Sequence, residues 1–312
     1  MAEDEKYVCT LSSAMKKLAE DELNETDLNR DRDIQALREK VRGMPGLNSR
    51  TDGGFLVRFL RTRKYNVERA FQLVQSYYKA RTDAPEFFDN FTPSSVRHVL
   101  ESGIIAVLRD RDREGRRVMV FRIDKWDPVV ITLADIFKAG FLLMEKIIEE
   151  EETQVAGVVF VEDLAGMTAN HVYYASSPTL MYKGYGAFQN AFPCRIKGGH
   201  YLNESPLFDG VFAIIKPILS EKIKSRIQMH GKVYSTLHAC VGKHVLPPEY
   251  GGDGPDYDDS VKLWTDRLMA SEQDFIKFNK KGFVTHGNLG TSATGDETMS
   301  GMAGSFKKLN VD

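Results

Sequence analysis

The regular alternation of strand-like and helix-like segments in the second half of the chain constrains its fold most strongly. Three short runs rich in β-branched and apolar residues are typical of strands in a buried sheet: residues 117–123, 155–161 and 196–202. Segments with apolar residues three to four positions apart separate them and predict helices: residues 132–151, 169–176 and 178–191. This order predicts an α/β domain with a mainly parallel sheet, over residues 101–280, closed by a helix at 256–279.

The first 100 residues show helical patterns only, and predict a separate all-helical domain over residues 1–100. Helices are predicted at the following segments: 13–43, 55–63, 67–81 and 92–100. From residue 281 to residue 312 the chain is rich in Gly, Ser and Thr, which predicts a disordered tail.

Composition excludes several classes of protein. The net charge of −2 argues against a general nucleic-acid binder, and no apolar run approaches the roughly 18–20 residues that span a bilayer. The N-terminus lacks the apolar core of a signal peptide, and the three cysteines lie too far apart for a disulfide framework. We therefore expect a cytoplasmic protein. We also expect it to be a monomer that meets membranes only at their surface.

Motifs of catalysis and of cofactor or metal binding are missing from the sequence. It holds no G-x-S-x-G, P-loop or G-x-G-x-x-G at a strand–helix junction. The seven histidines are scattered, without cysteine or carboxylate neighbours at metal-ligand spacing. We expect no catalytic residue, no cofactor and no metal ion.

An apolar helix predicted at residues 205–219 is followed closely by basic residues. Ser205 can cap it and Pro206 suits its first turn. Its stripe of large apolar residues includes Phe208, Val211, Phe212 and Ile215. The pattern fits a movable cover over an apolar pocket that meets an anionic membrane. The pattern alone nevertheless favours a core helix followed by a solvated basic turn.

Two acidic residues end the central predicted strand. Glu162 and Asp163 follow the run 155–161, at the edge where open α/β sheets bind ligands. The alternative is a carboxylate that binds only the backbone of the next loop.

Basic residues recur in three places. The spacing of Arg58, Arg61 and Arg63 does not allow all three to share one helix face. Residues 195 and 197 would point the same way from a strand. Residues 222 and 226 would share one helix face. If such charges converge they suit a multiply charged phosphate group. The spacing alone favours a solvated basic surface.

An ordered set of short motifs covers residues 50–278. It comprises Phe55-Leu-Val-Arg-Phe-Leu-Arg-Thr-Arg-Lys-Tyr-Asn-Val67, Trp126-Asp-Pro128, Glu152-Thr-Gln154, Glu162-Asp-Leu-Ala-Gly166, Phe192-Pro193, Asn203-Glu-Ser-Pro206, Lys216-Pro-Ile-Leu219 and Pro248-Glu-Tyr-Gly-Gly252. Together these motifs resemble the CRAL-TRIO lipid-transfer family, and most closely its tocopherol-transfer and retinaldehyde-binding branches. The resemblance implies a helical N-terminal domain, an α/β domain that encloses one hydrophobic ligand, and a gate helix at 205–219.

The resemblance also implies where ligands bind. A basic cleft for phosphatidylinositol bisphosphate would comprise Arg63, Arg195, Lys197, Lys222 and Arg226. The pocket would be lined by Phe121, Phe137, Gly140, Phe141, Met144, Val158, Phe160, Glu162, Gly184, Ala187, Phe188 and Phe192. The gate would carry Phe208, Val211, Phe212 and Ile215.

The chain departs from the family pattern at several pocket positions. Gly140, Gly184, Gly186 and Ala187 stand where the family carries bulkier side chains, which predicts a roomier cavity. Glu162 matches a ligand-facing glutamate of the retinaldehyde branch. Cys194 stands where the phosphatidylinositol branch has an acid, which argues against phosphatidylinositol as internal cargo.

We therefore expect a carrier of one hydrophobic lipid, a retinoid, tocopherol or carotenoid-like isoprenoid, that releases its cargo at membranes containing phosphoinositide. Three alternatives remain open at this point. They are a phospholipid-exchange protein in phosphoinositide signalling, an enzyme that uses Glu162 as acid or base, and a protein-interaction scaffold.

Overall fold

A computed structural model of the chain describes residues 7–284, which form helices around a five-stranded sheet. The N-terminal helices are α1 (Ser13–Leu23), α2 (Asp27–Arg42), α3 (Gly53–Thr62), α4 (Val67–Asp83), α5 (Pro85–Phe88) and α6 (Arg97–Ser102). The later helices are α7 (Leu133–Ile147), α8 (Glu151–Ala156), α9 (Ala169–Ala175), α10 (Pro178–Asn190), α11 (Pro206–Ile215), α12 (Glu221–Lys224), α13 (Tyr234–Val241), α14 (Tyr257–Met269) and α15 (Glu272–Phe278). Short 3₁₀ helices cover Pro93–Val96, Ile123–Lys125 and Pro248–Tyr250.

The strands are β1 (Leu47–Asn48), β2 (Ile105–Val107), β3 (Arg117–Arg122), β4 (Val158–Asp163), β5 (Ile196–Leu202), β6 (Ile227–Met229) and β7 (Gly282–Phe283). The main sheet has the order β2-β3-β4-β5-β6, in which β2 is antiparallel to β3 and the other neighbours are parallel. The prediction of an α/β fold with a mainly parallel sheet and a helical N-terminal region is confirmed.

Aromatic packing and side-chain caps explain the N-terminal helices. The rings of Phe55, Phe59 and Tyr77 meet edge to face, with centroids 5.0 to 5.9 Å apart, and thereby join α3 to α4. The side chains of Asp52 and Asn66 accept hydrogen bonds from the first turns of the same two helices.

A buried ion-pair network joins the N-terminal helices to the α/β part. The guanidinium of Arg61, fully buried, donates to both carboxylate oxygens of Glu25 at 2.7 and 2.8 Å. It also donates to Gln154 of α8 at 2.7 Å and pairs with Glu151 at 3.2 Å. Because removing one member would leave a buried charge with fewer partners, this network fixes how the two parts pack.

The main sheet separates two apolar layers. Alternate side chains of β3 and β4 point to one face, where α13 packs around Leu237 and Val241. The intervening side chains point to the opposite face, towards α7 and α10. The N-terminal helices contribute Phe87 and Phe88 of α5 to this second layer, so the predicted boundary at residue 100 is crossed by a shared core.

Several predicted helices end earlier than the pattern suggested. The helix at 132–151 ends at Ile147, because Glu150 binds Arg111 and Arg117 at 2.7 and 2.6 Å outside the helix. The helix at 205–219 ends at Ile215, since Pro217 has no N–H to continue it. The predicted helix at 256–279 consists of two, α14 and α15, and the one at 92–100 begins as a 3₁₀ turn.

The strand predicted at 155–161 begins three residues later, at Val158. Val155 and Ala156 end α8, and Gly157 connects that helix to β4 with a φ of 93°. A Cβ at residue 157 would lie 2.4 Å from the carbonyl oxygen of Arg195, so only glycine allows β4 and β5 to approach here. The three-residue strands β2 and β6 were missed, because such short runs carry no alternation pattern.

The end of the described chain returns to the N-terminal helices. β7 pairs antiparallel with β1, so residues 282–283 of the predicted tail lie in a two-stranded sheet. Residues 285–312 of that tail lie outside the described residues. Between residues 7 and 284, no helix is both long enough and apolar enough to cross a bilayer.

Candidate functional site

One face of the main sheet, together with α7 and α10, encloses a largely apolar cavity of about 160 Å³. Two rows of sheet residues form its floor: Met119, Phe160 and Gly199 in one, and Phe121, Glu162 and Tyr201 in the next. The remaining walls are formed by Ile105, Leu133, Ile136, Phe137, Gly140, Met181, Tyr185, Phe188, Gln189, Ile196, Gly198, Leu219, Ile223, Arg226 and Ile227.

Half of the predicted pocket residues line this cavity: Phe121, Phe137, Gly140, Phe160, Glu162 and Phe188. The other six lie in the walls without reaching it: Phe141, Met144, Val158, Gly184, Ala187 and Phe192. Phe141, for example, is covered by the ring of Phe188, which stacks on it with centroids 4.4 Å apart.

The glycines predicted to enlarge the cavity behave differently from one another. A Cβ at Gly184 would lie 2.4 Å from the ring of Phe137, so this glycine admits a neighbouring ring and adds no space to the cavity. A Cβ at Gly186 would meet nothing within 4 Å, and this residue does not line the cavity. Gly140 alone among them faces the cavity, with Ile105 and Phe188 as neighbours at 3.3 and 3.5 Å from such a Cβ.

Glu162 is the acidic side chain in the cavity wall. Burial raises its pKa to about 7, and no hydrogen bond or opposite charge within the described chain contributes. Burial raises the pKa values of Tyr185 and Tyr201, and the charge of Glu162 raises them further. Both phenols therefore stay neutral. Glu162, Tyr185 and Tyr201 thus form a polar end within a mostly apolar cavity.

Asp163, the neighbouring acid, has a structural role instead. Its carboxylate accepts hydrogen bonds from the Tyr250 hydroxyl at 3.0 Å, the Asn203 side chain at 2.8 Å and the Ala165 backbone at 3.1 Å. Asp163 lies on the opposite face of the sheet from Glu162, because successive strand residues point in opposite directions. Of the two acids, only Glu162 faces the cavity.

The predicted gate helix, α11, packs beside the cavity. Phe208 and Phe212 contact the ring of Tyr201, with centroids 5.1 and 5.9 Å away, and Tyr201 lines the cavity. Val211 and Ile215 are buried in the same core, so none of the four predicted gate residues reaches the cavity itself. The cavity is covered instead by the segment after α11.

Gln189 holds this covering segment, and the sequence analysis missed it. Its side-chain amide donates to the carbonyl oxygen of Ile218 at 2.6 Å, and its amide oxygen accepts from the backbone N–H of Ser220 at 2.9 Å. Two residues of the segment, Leu219 and Ile223, line the cavity. A polar residue within an otherwise apolar helix face is the signal that could have identified Gln189.

The five predicted cationic residues converge beside the cavity. Burial lowers the pKa of Lys222, and neighbouring cations lower it further: Arg226, Lys64, Arg195 and Arg63. Arg195 and Arg226 lower the pKa of Lys197 in the same way, after the larger effect of its burial. We call this group, with Lys64 added, the basic cluster: Arg63, Lys64, Arg195, Lys197, Lys222 and Arg226.

Arg226 belongs to both the basic cluster and the cavity wall. Its guanidinium donates to the carbonyl oxygen of Ile196, another cavity residue. The basic cluster and the cavity are therefore adjacent, with α12 and its Ile223 between the exposed Lys222 and the cavity interior.

A carboxylate of α1 occupies part of the basic cluster. Glu22 pairs with Arg195 at 2.5 Å and with Lys197 at 3.0 Å. Burial would raise its pKa, but hydrogen bonds and charge from these two cations outweigh it and lower the pKa to about 2. Glu22 thus stays ionised and would compete with any anion that binds these cations.

The other arginines considered in the sequence analysis are structural. Arg61 is buried in the network described above, and Arg58 lies 3.6 Å from Glu145 with its guanidinium against the ring of Phe55. Of the three, only Arg63 belongs to the basic cluster. This agrees with the prediction that the three arginines do not all share one helix face.

Comparisons with known proteins bear on this arrangement. The family described as "CRAL/TRIO domain" matches residues 101–252, and the one described as "Pinta-like, UBA domain" matches residues 26–97. "Alpha-tocopherol transfer protein-like" of Homo sapiens is 41% identical over 272 residues, which cover 87% of this chain and 79% of that protein.

The chain belongs to the CRAL-TRIO family.

Two more distant relatives match in sequence. "Clavesin-2" of Homo sapiens is 33% identical over 256 residues, covering 81% of this chain and 77% of that protein. "Clavesin-1" of Xenopus laevis is 30% identical over 268 residues, covering 85% and 78%. The solved structure titled "Crystal structure of Sfh5" has a TM-score of 0.46 at 12% identity, over 86% of this chain and all of that one. Membership rests on the sequence matches, and it makes this chain a member of a lipid-binding and lipid-transfer family.

Proposed function

We propose that this protein carries one hydrophobic lipid, an isoprenoid such as a retinoid, tocopherol or carotenoid-like molecule, and releases it at membranes that contain phosphoinositide. The observation that carries the proposal is that the apolar cavity adjoins the basic cluster. Arg226 lines the cavity and also belongs to the basic cluster. The name of the 41% identical relative, "Alpha-tocopherol transfer protein-like", is consistent with it.

The chemistry of the cavity favours an isoprenoid over a phospholipid held entirely inside. Apolar side chains dominate its lining, and burial of apolar surface contributes about 25 cal/mol per Å². Its polar end, formed by Glu162 and two phenols, suits a single hydroxyl or carbonyl group. A phosphate would be repelled by the carboxylate of Glu162 once that group is ionised.

The adjacency at Arg226 supports one alternative. A phospholipid could place its acyl chains in the cavity and its phosphate on the basic cluster, as an exchange protein would. Mass spectrometry of the lipid that co-purifies from a eukaryotic host separates the two. An isoprenoid supports the carrier, and a phospholipid supports the exchange protein.

A binding role rather than catalysis is supported by the surroundings of Glu162. Between residues 7 and 284 no hydrogen-bonded acid, base or nucleophile accompanies it. Turnover of the bound lipid by the wild-type protein, abolished in Glu162→Gln, would refute this part of the proposal.

Release is proposed to follow from binding of a headgroup to the basic cluster. In the open form, α12 moves away from the cavity. Headgroup phosphates would favour this form if they bind Lys222 and Arg226 more tightly in it than in the closed form. Phosphates on Arg195 and Lys197 would also displace Glu22 and so loosen α1 from β5. Both steps need only differential affinity of the headgroup for the open form.

The test follows transfer of the co-purified lipid to phosphatidylcholine vesicles with and without phosphatidylinositol bisphosphate. We expect the phosphoinositide to accelerate transfer by the wild type and by Lys216→Ala, an exposed lysine at the end of α11. Lys222→Ala/Arg226→Ala should lose the acceleration. Acceleration that persists in this double variant would refute the coupling, and Lys222→Ala alone separates it from any effect of Arg226 on the cavity.

A further inference from the structure

Two buried histidines and a cysteine converge on the face of the sheet opposite the cavity. His200 lies in β5, His230 follows β6, and Cys240 lies in α13. The Nδ1 of His200 is 2.9 Å from the Nε2 of His230, and one donor atom from each of the three residues lies within 4.8 Å of the others. Scattered along the sequence, these residues are brought together only by the parallel sheet and the helix that covers it.

The hydrogen bonds around His230 determine which of its nitrogens is available. The hydroxyl of Thr236 donates to the carbonyl oxygen of Val233 at 2.7 Å, so it accepts from the Nδ1–H of His230, also at 2.7 Å. The lone pair of the Nε2 atom of His230 therefore points towards His200. A histidine whose second nitrogen donates to a fixed oxygen has the arrangement usual for metal ligands.

The site has space and access. A Cβ at Gly198 would lie 3.0 Å from the Nε2 of His200, so glycine at that position accommodates the imidazole ring. Both histidines are buried, with 4% and 7% of their surface exposed. Cys240 is half-buried, and its thiol donates to the exposed side chain of Gln228 at 3.1 Å. An ion could reach the three donors past Cys240.

Burial is the main reason that both imidazoles are neutral. Burial, the neighbouring His230 and the charge of Arg116 lower the pKa of His200 to about 4. Burial also lowers the pKa of His230, against the opposing effect of Glu204. The positive charge of Arg116 is offset by ion pairs with two carboxylates, Asp112 at 2.5 Å and Glu114 at 3.1 Å.

We propose that His200, His230 and Cys240 bind one Zn²⁺ ion. Two imidazoles and a thiolate are a ligand set that Zn²⁺ prefers, and a fourth, solvent-facing position would complete a tetrahedron. When the ion binds, the proton on the Nδ1 of His200 moves to the Nε2 of the same ring, and the thiol of Cys240 loses its proton to solvent. The ion then lies between the two histidine nitrogens, where it replaces their hydrogen bond. Tetrahedral ligation needs a nitrogen–nitrogen distance of about 3.3 Å, which requires only a small separation of the two rings.

Zinc at this position would tie β5 and the end of β6 to α13, away from the lipid cavity. The proposal does not depend on the nature of the cargo. A metal ion that binds the folded protein but not the unfolded protein raises the melting temperature.

The experiment uses the full-length protein, stripped with a chelator, and titrates it with Zn²⁺ by calorimetry under reducing conditions. Co²⁺ replaces Zn²⁺ in a parallel absorption measurement, in which a thiolate ligand produces a near-ultraviolet charge-transfer band. The variants are Cys240→Ser and His230→Gln, and the matched control is Cys194→Ser, a cysteine next to β5 outside the three-residue group. Circular dichroism checks that each variant is folded.

We expect one Zn²⁺ per chain, a thiolate band with Co²⁺ and a higher melting temperature with Zn²⁺. Cys240→Ser should bind at least tenfold more weakly and lose the band, and Cys194→Ser should match the wild type. Failure of the wild type to bind stoichiometric Zn²⁺, or binding that Cys240→Ser leaves unchanged, overturns the proposal. A Co²⁺ complex without the thiolate band overturns it as well.

Discussion

Replacing Glu162 with glutamine should stabilise the lipid-free protein at alkaline pH and have little effect at acidic pH. Burial in the cavity wall raises the pKa of Glu162 from 4.5 to about 7, so the folded state binds its proton more tightly than the unfolded state does. The stability that this proton contributes is complete below pH 4.5 and is lost as the pH rises through 7. Glutamine keeps the shape of the side chain and has no charge to bury.

The size of the effect follows from the shift. Each pKa unit corresponds to 1.36 kcal/mol, so the ionised carboxylate destabilises the folded protein by about 3 kcal/mol at pH 8 and by under about 1 kcal/mol at pH 5. Glu162→Gln should therefore have the larger free energy of unfolding at pH 8. The exposed part of Glu162 faces the cavity rather than bulk solvent. Screening by water therefore reduces the expected gain in free energy of unfolding only in part.

The assay is urea unfolding of delipidated protein, followed by tryptophan fluorescence at the two pH values. Asp163→Asn is the control, since its carboxylate already has three hydrogen-bond donors and faces away from the cavity. This variant should be destabilised at both pH values. If the difference between wild type and Glu162→Gln is the same at pH 5 and pH 8, Glu162 ionises as in water and our account of the cavity is wrong.

Three further predictions concern α1, α10 and α3. Glu22→Gln should bind phosphoinositide vesicles several-fold more tightly in flotation assays, because a competing carboxylate leaves the basic cluster; unchanged affinity, or an equal gain in the exposed Glu20→Gln, would contradict this. Gln189→Leu should exchange lipid faster than Asn190→Leu in stopped-flow transfer, because the segment over the cavity loses two hydrogen bonds; equal rates would show that this clamp is unimportant. Arg61→Leu should lower the free energy of unfolding by about 3–5 kcal/mol in urea, because buried Glu25 keeps only Arg30 as a partner and Gln154 loses its donor, and a loss under about 1 kcal/mol would argue against the network.

Local patterns predicted the elements of the fold well. The strand at 196–202 and the helices near 169–176 and 178–191 match β5, α9 and α10 closely, since each has a clear apolar period. Helix ends were less predictable. The end of α7 depends on ion pairs between Glu150 and arginines distant in sequence, which no local pattern reveals.

The candidate site shows the same limit. Phe121, Phe160 and Glu162 were assigned to the pocket by the family resemblance, and they line the cavity together because strand alternation places all three on one side of the sheet. Gly184 was misjudged because the ring that fills its space comes from α7. The pairing of Glu22 with the basic cluster joins residues more than 170 positions apart, which spacing along the chain cannot indicate.

The central claim, one hydrophobic lipid in the cavity, is tested most directly by native mass spectrometry of protein purified from a eukaryotic host. The comparison is wild type with Gly140→Leu, which extends into the cavity, and Gly186→Leu, the same change where a Cβ meets no neighbour. We predict one bound lipid per chain in the wild type and Gly186→Leu, and strongly reduced occupancy in Gly140→Leu. A wild-type protein without lipid, or equal occupancy in all three, would contradict the account.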